Sequence, residues 1–195
     1  MAALLGITFI TFAVIGRVVL QYRSTGDHGV RFANPGEDPV AAIAGAAFSL
    51  SFALSLLLIA LDFTGTWPLA RIEAAYHPHV ATPVGFAGIA IVLIAQYQMR
   101  NAWRIGVDHG ESTELVTHGL FARSRNPIYF GILLYWLGLA GTMPNPLIWG
   151  LGIVCWVSIE VIVRKVEEPY LRKLHGASYS DYSDKTNRYL VWPFV

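Results

Sequence analysis

A stretch of 34 consecutive residues, from Asn126 to Ile159, contains no charged side chain. One crossing of a bilayer needs roughly 20 apolar residues, so this stretch is too long for a single membrane helix. Its middle carries Pro144-Asn145-Pro146, and proline inside a helix removes a backbone donor and breaks the helix. The stretch therefore predicts two helices of about 17 residues each, folded back as a hairpin and just long enough to span.

The composition of the chain supports a membrane protein. Hydrophobic residues make up 54% of the sequence and charged residues 14%, with a mean hydropathy of +0.48. Soluble domains of this size rarely reach such values. Three further apolar stretches cover Ala2 to Leu20, Val40 to Leu61 and Val80 to Met99. We therefore predict an all-α integral membrane protein with five transmembrane helices, three in residues 1–99 and a C-terminal hairpin in residues 100–195.

The first apolar stretch is expected to stay in the protein as a span. It has no basic segment ahead of its apolar run, and no clear small-residue cleavage site follows it, as a signal peptide would require. Arg17 lies near its end, where a long side chain can carry its charge to the interface.

Basic residues predict the orientation. With five spans, thirteen of the fourteen lysines and arginines fall on one side of the membrane and only Arg71 falls on the other. Basic loops stay on the cytoplasmic side. The sequence therefore predicts an N-terminus outside, a cytoplasmic C-terminal tail, and a basic face that attracts membrane lipids. Nothing in the sequence predicts a nucleic-acid partner, and the oligomeric state is left open.

Small residues recur inside the spans and predict close helix contacts rather than chemistry. They include Gly45 with its neighbouring alanines, the pair Gly85 and Gly88, and the series Gly131, Gly138 and Gly141. The single cysteine, Cys155, is interpreted as a small core residue. His77 and His79 flank a proline without a third ligand nearby, so no metal site is predicted.

The polar segment before the hairpin holds the first candidate site. In Arg125-Asn126-Pro127, proline suits the first position of a helix and asparagine is a favoured N-cap. A plain helix start is one interpretation. The alternative is an anion site, because a helix N-terminus beside Arg123 and Arg125 concentrates positive potential at the membrane surface.

An acidic pair, Glu167-Glu168, follows the hairpin on what should be a continuing helix. Glu160, Arg164 and Glu168 are spaced four apart, which predicts ion pairs along one face. Adjacent residues point about 100° apart, so Glu167 can face inward while Glu168 pairs with Arg164. A carboxylate that faces a cleft can bind an ammonium or sulfonium cation. A solvated, salt-bridged helix extension is the alternative.

The segment from Glu111 to Phe121 is too polar for a span and predicts a turn or short extended segment over the cytoplasmic mouth. Gly119 allows a ligand to approach the backbone closely, or simply makes a turn. His118 is interpreted first as an interfacial polar residue.

These motifs together resemble the isoprenylcysteine carboxyl methyltransferase family and the related membrane phospholipid methyltransferases. The resemblance rests on Leu115-Val116-x-x-Gly119-Leu120-Phe121, on Ser124-Arg125-Asn126-Pro127-Ile128-Tyr129-Phe130-Gly131, and on Glu167-Glu168-x-x-Leu171 with Gly176, Tyr179 and Tyr182, in this order around a hairpin. It covers about residues 96 to 195. The first 95 residues match only as spans.

The resemblance implies an integral membrane enzyme that binds S-adenosylmethionine between the hairpin and the cytoplasmic segments. The implied cofactor-binding residues are Val116, His118, Gly119, Phe121, Asn126, Pro127, Tyr129, Glu167 and Glu168. The implied catalytic residues are Arg125, Asn126 and Tyr129, which correspond to the family's Arg-His-Pro-x-Tyr motif. Asn126 stands where histidine is usual, and its amide cannot titrate, which argues against base catalysis there. The terminal Tyr179, Tyr182 and Arg188 resemble the family's closing tail.

Methyl transfer from a sulfonium needs alignment and exclusion of water, not a metal. A carboxylate acceptor is already a nucleophile at neutral pH, whereas an amine must first lose a proton. This chemistry favours an oxygen or sulfur acceptor, and the resemblance implies methylation of a hydrophobic, lipid-linked or prenylated acceptor, most like isoprenylcysteine carboxyl O-methylation. The alternatives are a phospholipid N-methyltransferase, a small-thiol S-methyltransferase and, outside enzymes, a small transporter or structural subunit.

Overall fold

The computed structural model describes residues 1–30, 38–104 and 114–189. Its longer helices are α1 (Ala2–Thr25), α2 (Pro39–Phe63), α3 (Pro78–Met99), α4 (Pro127–Thr142), α5 (Pro146–His175) and α6 (Ala177–Lys185). Single 3-10 turns lie at Glu73–Ala75, Arg100–Ala102 and Gly119–Ala122. The predicted all-helical membrane fold is confirmed. The predicted boundary between the N-terminal spans, residues 1–99, and the C-terminal part, residues 100–195, lies between α3 and the 3-10 turn Arg100–Ala102. The division of the chain into these two parts stays a prediction.

Four helices, α1, α2, α3 and α5, are long and apolar enough to cross a membrane by length and composition. Helix α4 has 16 residues and is about 24 Å long, less than the roughly 30 Å of a hydrocarbon core. It runs antiparallel to α3, because the His77 amide donates to the Gly141 carbonyl at one end while the Leu120 amide donates to Gln98 at the other. The count of five spans stays a prediction.

The hairpin forms where the two prolines predict it. Asn145 caps α5 by accepting a hydrogen bond from the Leu147 amide at 2.9 Å, and Pro146 occupies the first turn of the helix. Two hydrogen bonds of 2.8 Å connect the turn to the loop before α3. The side-chain amide of Asn145 donates to the Ala70 carbonyl, and the backbone amide of Ile72 donates to the Pro144 carbonyl. Arg71 and the hairpin turn therefore share one end of the bundle.

Helices α3 and α4 touch through their backbones. A Cβ atom placed on Gly88 would lie 2.5 Å from the Gly131 carbonyl oxygen, and one placed on Gly138 would lie 2.4 Å from the backbone of Gly85. Only glycine allows this approach, which brings α4 close enough to α3 for extensive dispersion contact. The predicted packing role of these glycines is confirmed. For Gly45 it is wrong, since that glycine in α2 faces open space.

Aromatic side chains from three helices form the middle of the core. Phe9 of α1 lies 4.5 Å from Tyr135 and 5.1 Å from Phe52 of α2, measured between ring centroids, and Trp136 meets Phe52 edge-on. Such offset and edge-to-face pairs add to the stabilisation from burial itself. Cys155 is fully buried in this core, as its interpretation as a core residue requires.

At the opposite end, α1 holds the end of α3. The Arg17 guanidinium donates to the Arg100 carbonyl and to Gln21, and it stacks on Trp103 with 4.9 Å between its central carbon and the ring centroid. The side chain of Arg17 thus follows the predicted path toward the helix end. The described basic residues other than Arg71 belong to this end, whereas Arg31 lies outside the described residues.

Helix α5 is not regular throughout. Residues Ile162–Glu167 are π-helical, and the wider turn rotates everything after it relative to an ideal α-helix. Arg164 still pairs with Glu160 at 2.5 Å, but Glu168 turns away from Arg164. The predicted ion pair between Arg164 and Glu168 is therefore wrong, because the four-residue spacing holds only in a regular helix.

Candidate functional site

Asn126 joins the start of α4 to the C-terminal tail, which comprises α6 and residues 186–189. It occupies the N-cap position before Pro127, yet its side chain makes no capping hydrogen bond. Its side-chain amide instead donates to the Arg188 carbonyl at 3.2 Å, and its backbone amide donates to the same oxygen at 3.1 Å. The predicted side-chain cap is thus wrong, because the tail competes for that side chain.

Arg125 is surrounded by acceptors from the same tail. Its guanidinium donates to the carbonyls of Ser183 at 2.6 Å and Thr186 at 3.0 Å, and to Glu168 at 3.1 Å. Its backbone amide donates to the Asn187 carbonyl at 2.8 Å. Arg125 therefore anchors the tail to the hairpin, and its charge is balanced by Glu168.

Glu168 receives two guanidinium groups. Besides Arg125, it accepts a two-point contact from Arg188, with nitrogen-to-oxygen distances of 2.7 Å and 3.0 Å. This charge-assisted fork is a strong hydrogen-bonding geometry, and it raises the pKa of Arg188. Because the residue is only 8% exposed and already carries two cationic partners, Glu168 has little capacity left for a cationic ligand.

Glu167 has a different environment from its neighbour. The Tyr129 hydroxyl donates to its Oε1 at 2.5 Å, which ties α4 to α5 at the mouth of the hairpin. Within the parts of the chain that the structure describes, no lysine or arginine forms an ion pair with Glu167. The side chain is partly buried, so the acidic pair consists of one neutralised carboxylate and one without a cationic partner among the residues that the structure describes.

The turn at Gly119–Ala122 lies over the start of the tail. Gly119 has a φ of +63°, a left-handed conformation that favours glycine. Phe121 is buried, and its carbonyl accepts a hydrogen bond from the Tyr182 hydroxyl at 2.6 Å. Burial raises the pKa of Tyr182 to about 12, so this hydroxyl stays protonated and remains a donor at neutral pH. The predicted turn or short extended segment is confirmed for residues 114–121, whereas residues 111–113 lie outside the described residues.

Val116 and His118 lie in the extended segment before that turn. Val116 is partly buried and His118 is exposed. The His118 carbonyl accepts from the Phe121 amide at 3.1 Å, and its imidazole makes no hydrogen bond to the described residues. The structure thus joins Tyr129 to Glu167 and Arg125 to Glu168 by direct hydrogen bonds, and it links Asn126 to Glu168 through Arg188. It leaves Val116 and His118 in the adjoining segment, where their ligand roles stay predictions.

Three contributors were not predicted as site residues. The hydroxyl of Tyr189 donates to Glu160 at 2.5 Å, which carries the tail across to α5. Ser124 is fully buried and donates to the Arg188 carbonyl at 3.2 Å. Gln98, in the last turn of α3, accepts a hydrogen bond from the Leu120 amide at 2.8 Å. Ser124 carried a sequence signal as part of the motif behind the family resemblance, and Gln98 carried one as a polar side chain at the end of an apolar helix.

This fold and site define a multi-span membrane protein with a polar site at the mouth of a helical hairpin. The structure of the eukaryotic intramembrane Ras methyltransferase, an isoprenylcysteine carboxyl methyltransferase, matches it with a TM-score of 0.57. The match covers 98% of this chain and 73% of that one at 17% identity, so it establishes a shared fold.

Sequence comparison gives the family. The model of the phospholipid methyltransferase family matches residues 77–178, just over half of the chain. Probable protein-S-isoprenylcysteine O-methyltransferases from the indica and japonica subspecies of Oryza sativa are each 27% identical over 122 residues. That match covers 57% of this chain and 62% of each relative, so the chain spans less than two thirds of their length. The chain belongs to the phospholipid methyltransferase family, and the resemblance to isoprenylcysteine carboxyl methyltransferases is confirmed.

Proposed function

We propose that this protein transfers a methyl group from S-adenosylmethionine to a hydrophobic or lipid-linked acceptor at the membrane, in a reaction most like isoprenylcysteine carboxyl O-methylation. The observation that carries the proposal is the asymmetry of the acidic pair. Glu168 is neutralised by Arg125 and Arg188, whereas Glu167 is held by Tyr129 and lacks a cationic partner among the described residues. A partly buried carboxylate in that state fits the ammonium group of the methyl donor.

The surrounding residues fit the rest of such a ligand. Tyr129 fixes the Glu167 carboxylate by a hydrogen bond, so the acceptor oxygens are oriented before a ligand arrives. Gly119 is exposed and left-handed, and the absence of a side chain lets its backbone lie against the Gln98 carboxamide, where a Cβ atom would be only 2.4 Å away. The bound donor supplies an activated methyl group on a sulfonium, while this chain's residues bind, orient and exclude water.

The hairpin also offers a path for an acceptor's hydrocarbon chain. A hydrophobic cleft of about 210 Å³ lies between α4 and α5, lined by Leu133, Trp136, Leu137, Ala140, Ile148, Trp149, Gly152, Ile153 and Trp156. Tyr129 precedes Leu133 by one helical turn, and Glu160 follows Trp156 by one turn. The cleft therefore follows the same helix faces toward the acidic pair, which supports an acceptor that enters from the bilayer.

The site's chemistry supports an oxygen acceptor. A carboxylate needs no base, whereas an amine must be deprotonated before it attacks. The Tyr129 hydroxyl already donates a hydrogen bond to Glu167. The His118 side chain is exposed, and no hydrogen bond from the described residues orients its imidazole. Neither is arranged as a base for an amine.

Binding of the methyl donor is the direct test. Detergent-purified protein is titrated with S-adenosylmethionine and with its demethylated product, and heat or fluorescence change is recorded. We expect Glu167→Gln to weaken binding by roughly ten- to a hundredfold, the value of a charge-assisted hydrogen bond of about 1.5 to 3 kcal/mol. Glu73→Gln, an exposed change near Arg71 at the other end of the bundle, is the matched control and should bind like the parent.

The acceptor class is tested separately with radiolabelled methyl donor. A prenylcysteine analogue, a phospholipid with an amine headgroup and a small thiol are offered in turn, and methylation of the prenylcysteine carboxylate is expected. A parent protein that binds neither the methyl donor nor its product would overturn the proposal and favour a transporter or structural subunit.

A further inference from the structure

Gln98 contacts the candidate methyl-donor site from outside the motifs that carry the family resemblance. It lies in the last turn of α3, and its Oε1 accepts a hydrogen bond from the Leu120 amide at 2.8 Å. That amide belongs to the 3-10 turn Gly119–Ala122, which contains the implied cofactor-binding residues Gly119 and Phe121. The orientation of the carboxamide follows from this bond, because a backbone amide can only donate and so requires the oxygen.

The contact is also steric. A Cβ atom placed on Gly119 would lie 2.4 Å from the Cδ and Nε2 atoms of Gln98, well inside contact distance. The left-handed φ of Gly119 and the flat carboxamide therefore fit each other, and a larger residue at position 119 would displace Gln98. Two side chains therefore hold the turn: Gln98 accepts a hydrogen bond from the Leu120 amide, and the Tyr182 hydroxyl donates one to the Phe121 carbonyl.

Hydrogen bonds to α1 fix the end of α3 that carries Gln98. Two residues earlier, Gln96 donates to the Ala13 carbonyl of α1 at 2.8 Å, and Arg17 donates to the Arg100 carbonyl just beyond the helix. The end of α3 is thus fixed by bonds that do not involve Gln98. Within the described residues, the polar partner of the Gln98 side chain is the Leu120 amide, so this side chain serves the turn rather than the packing of α3.

We infer that Gln98 is a positioning residue of the methyl-donor site, which fixes the Gly119–Leu120 turn through its carbonyl oxygen. The inference rests on the proposed function. It adds a determinant of donor affinity that lies on α3, outside the hairpin whose second helix carries the acidic pair. Because Gln98 acts on the turn and not on the reacting atoms, its loss changes binding of the methyl donor rather than the rate at saturation.

The test compares Gln98→Met, which keeps the length of the side chain without an acceptor, with Gln98→Glu, which keeps an acceptor oxygen. Each variant is titrated with S-adenosylmethionine, and hydrogen exchange at the Leu120 amide is followed by mass spectrometry. We expect Gln98→Met to weaken binding at least tenfold and to accelerate that exchange, with kcat unchanged. Gln98→Glu should recover binding to within about threefold of the parent.

Gln96→Met is the matched control on the same helix. It removes the bond to Ala13, so it should lower the melting temperature and leave donor affinity unchanged. A Gln98→Met variant that binds like the parent would overturn the inference, as would a Gln98→Glu variant as weak as Gln98→Met. If the parent itself does not bind the methyl donor, the proposed function fails first, which its own titration shows.

Discussion

At the scale of single residues, adjacent carboxylates in this protein have different electrostatic environments. Glu168 lies between Arg125 and Arg188 and links the start of α4 to the tail. Glu167 points instead toward Tyr129. The π-helical turn Ile162–Glu167 ends at the first residue of the pair and changes the directions of both side chains relative to a regular helix. Sequence spacing predicted the pair of Arg164 with Glu160 correctly, but it also assigned Glu168 to Arg164 because it assumed a regular helix.

Glu168→Gln should therefore affect stability more than Glu167→Gln. Removing the Glu168 charge leaves two guanidinium groups, one of them 13% exposed, without their carboxylate. Loss of one member of such a buried pair costs about 2 to 5 kcal/mol. We expect the melting temperature of ligand-free Glu168→Gln to fall by several degrees in detergent, while that of Glu167→Gln barely moves. Equal melting temperatures would contradict the assignment of Glu168 as the tie to the tail.

At the scale of helices, the contact between α3 and α4 sets the position of the site. The two backbones approach so closely at Gly88 and Gly131 that neither residue accepts a side chain. Since α4 begins at Pro127, next to the site residues, any separation of α3 and α4 would move Tyr129 relative to Glu167. The packing glycines and the site are therefore mechanically linked.

Gly138→Ala should destabilise the protein strongly. Its new Cβ would lie 2.4 Å from the Gly85 backbone, which cannot move aside as a flexible side chain would. Overpacking of this kind costs about 1 to 3 kcal/mol. Thermal unfolding in detergent measures the loss. Gly45→Ala, which faces open space in α2, is the control and should melt with the parent.

The cleft between α4 and α5 should select for acceptors with a long hydrocarbon chain. A Cβ on Gly152 lies 3.3 Å from the Trp136 ring, so Gly152→Leu would fill the cleft, whereas Gly150→Leu would extend into open space. We expect Gly152→Leu to lower kcat/KM for a long-chain acceptor by roughly tenfold and to spare a short-chain analogue. Methyl transfer to a chain-length series measures this, and equal losses for both chain lengths would exclude the cleft as the chain's path.

At the scale of the whole molecule, the two ends of the bundle differ in charge. Arg71 lies near the hairpin turn, while Arg17, Arg100, Arg125 and Arg188 belong to the opposite end, together with the site. We infer from the positive-inside rule that the site faces the cytoplasm and that the N-terminus lies outside. A cytoplasmic site has access to a soluble methyl donor and, through the hairpin, to an acceptor in the bilayer.

Cysteine labelling tests this orientation. In a Cys155→Ala background, a cysteine at Ala70 should react with a membrane-impermeant reagent from outside, and cysteines at Arg123 and Lys185 should react only after the membrane is permeabilised. All three positions are exposed in the structure. Labelling of positions 70 and 123 from the same side would contradict the predicted five spans.

The sequence by itself determined the apolar helices and the hairpin with its proline turn, and it proposed the residues of the candidate site, whose ligand roles stay predictions. These features depend on local composition and on fixed motif order, which need no knowledge of distant contacts. Only the tertiary structure decided how the polar groups are paired. Gln98 reaches Leu120 across 22 positions, Arg125 reaches Glu168 across 43 and Asn126 reaches Arg188 across 62. Such pairs depend on how helices pack and on a local π-helical turn, and helical periodicity contains neither.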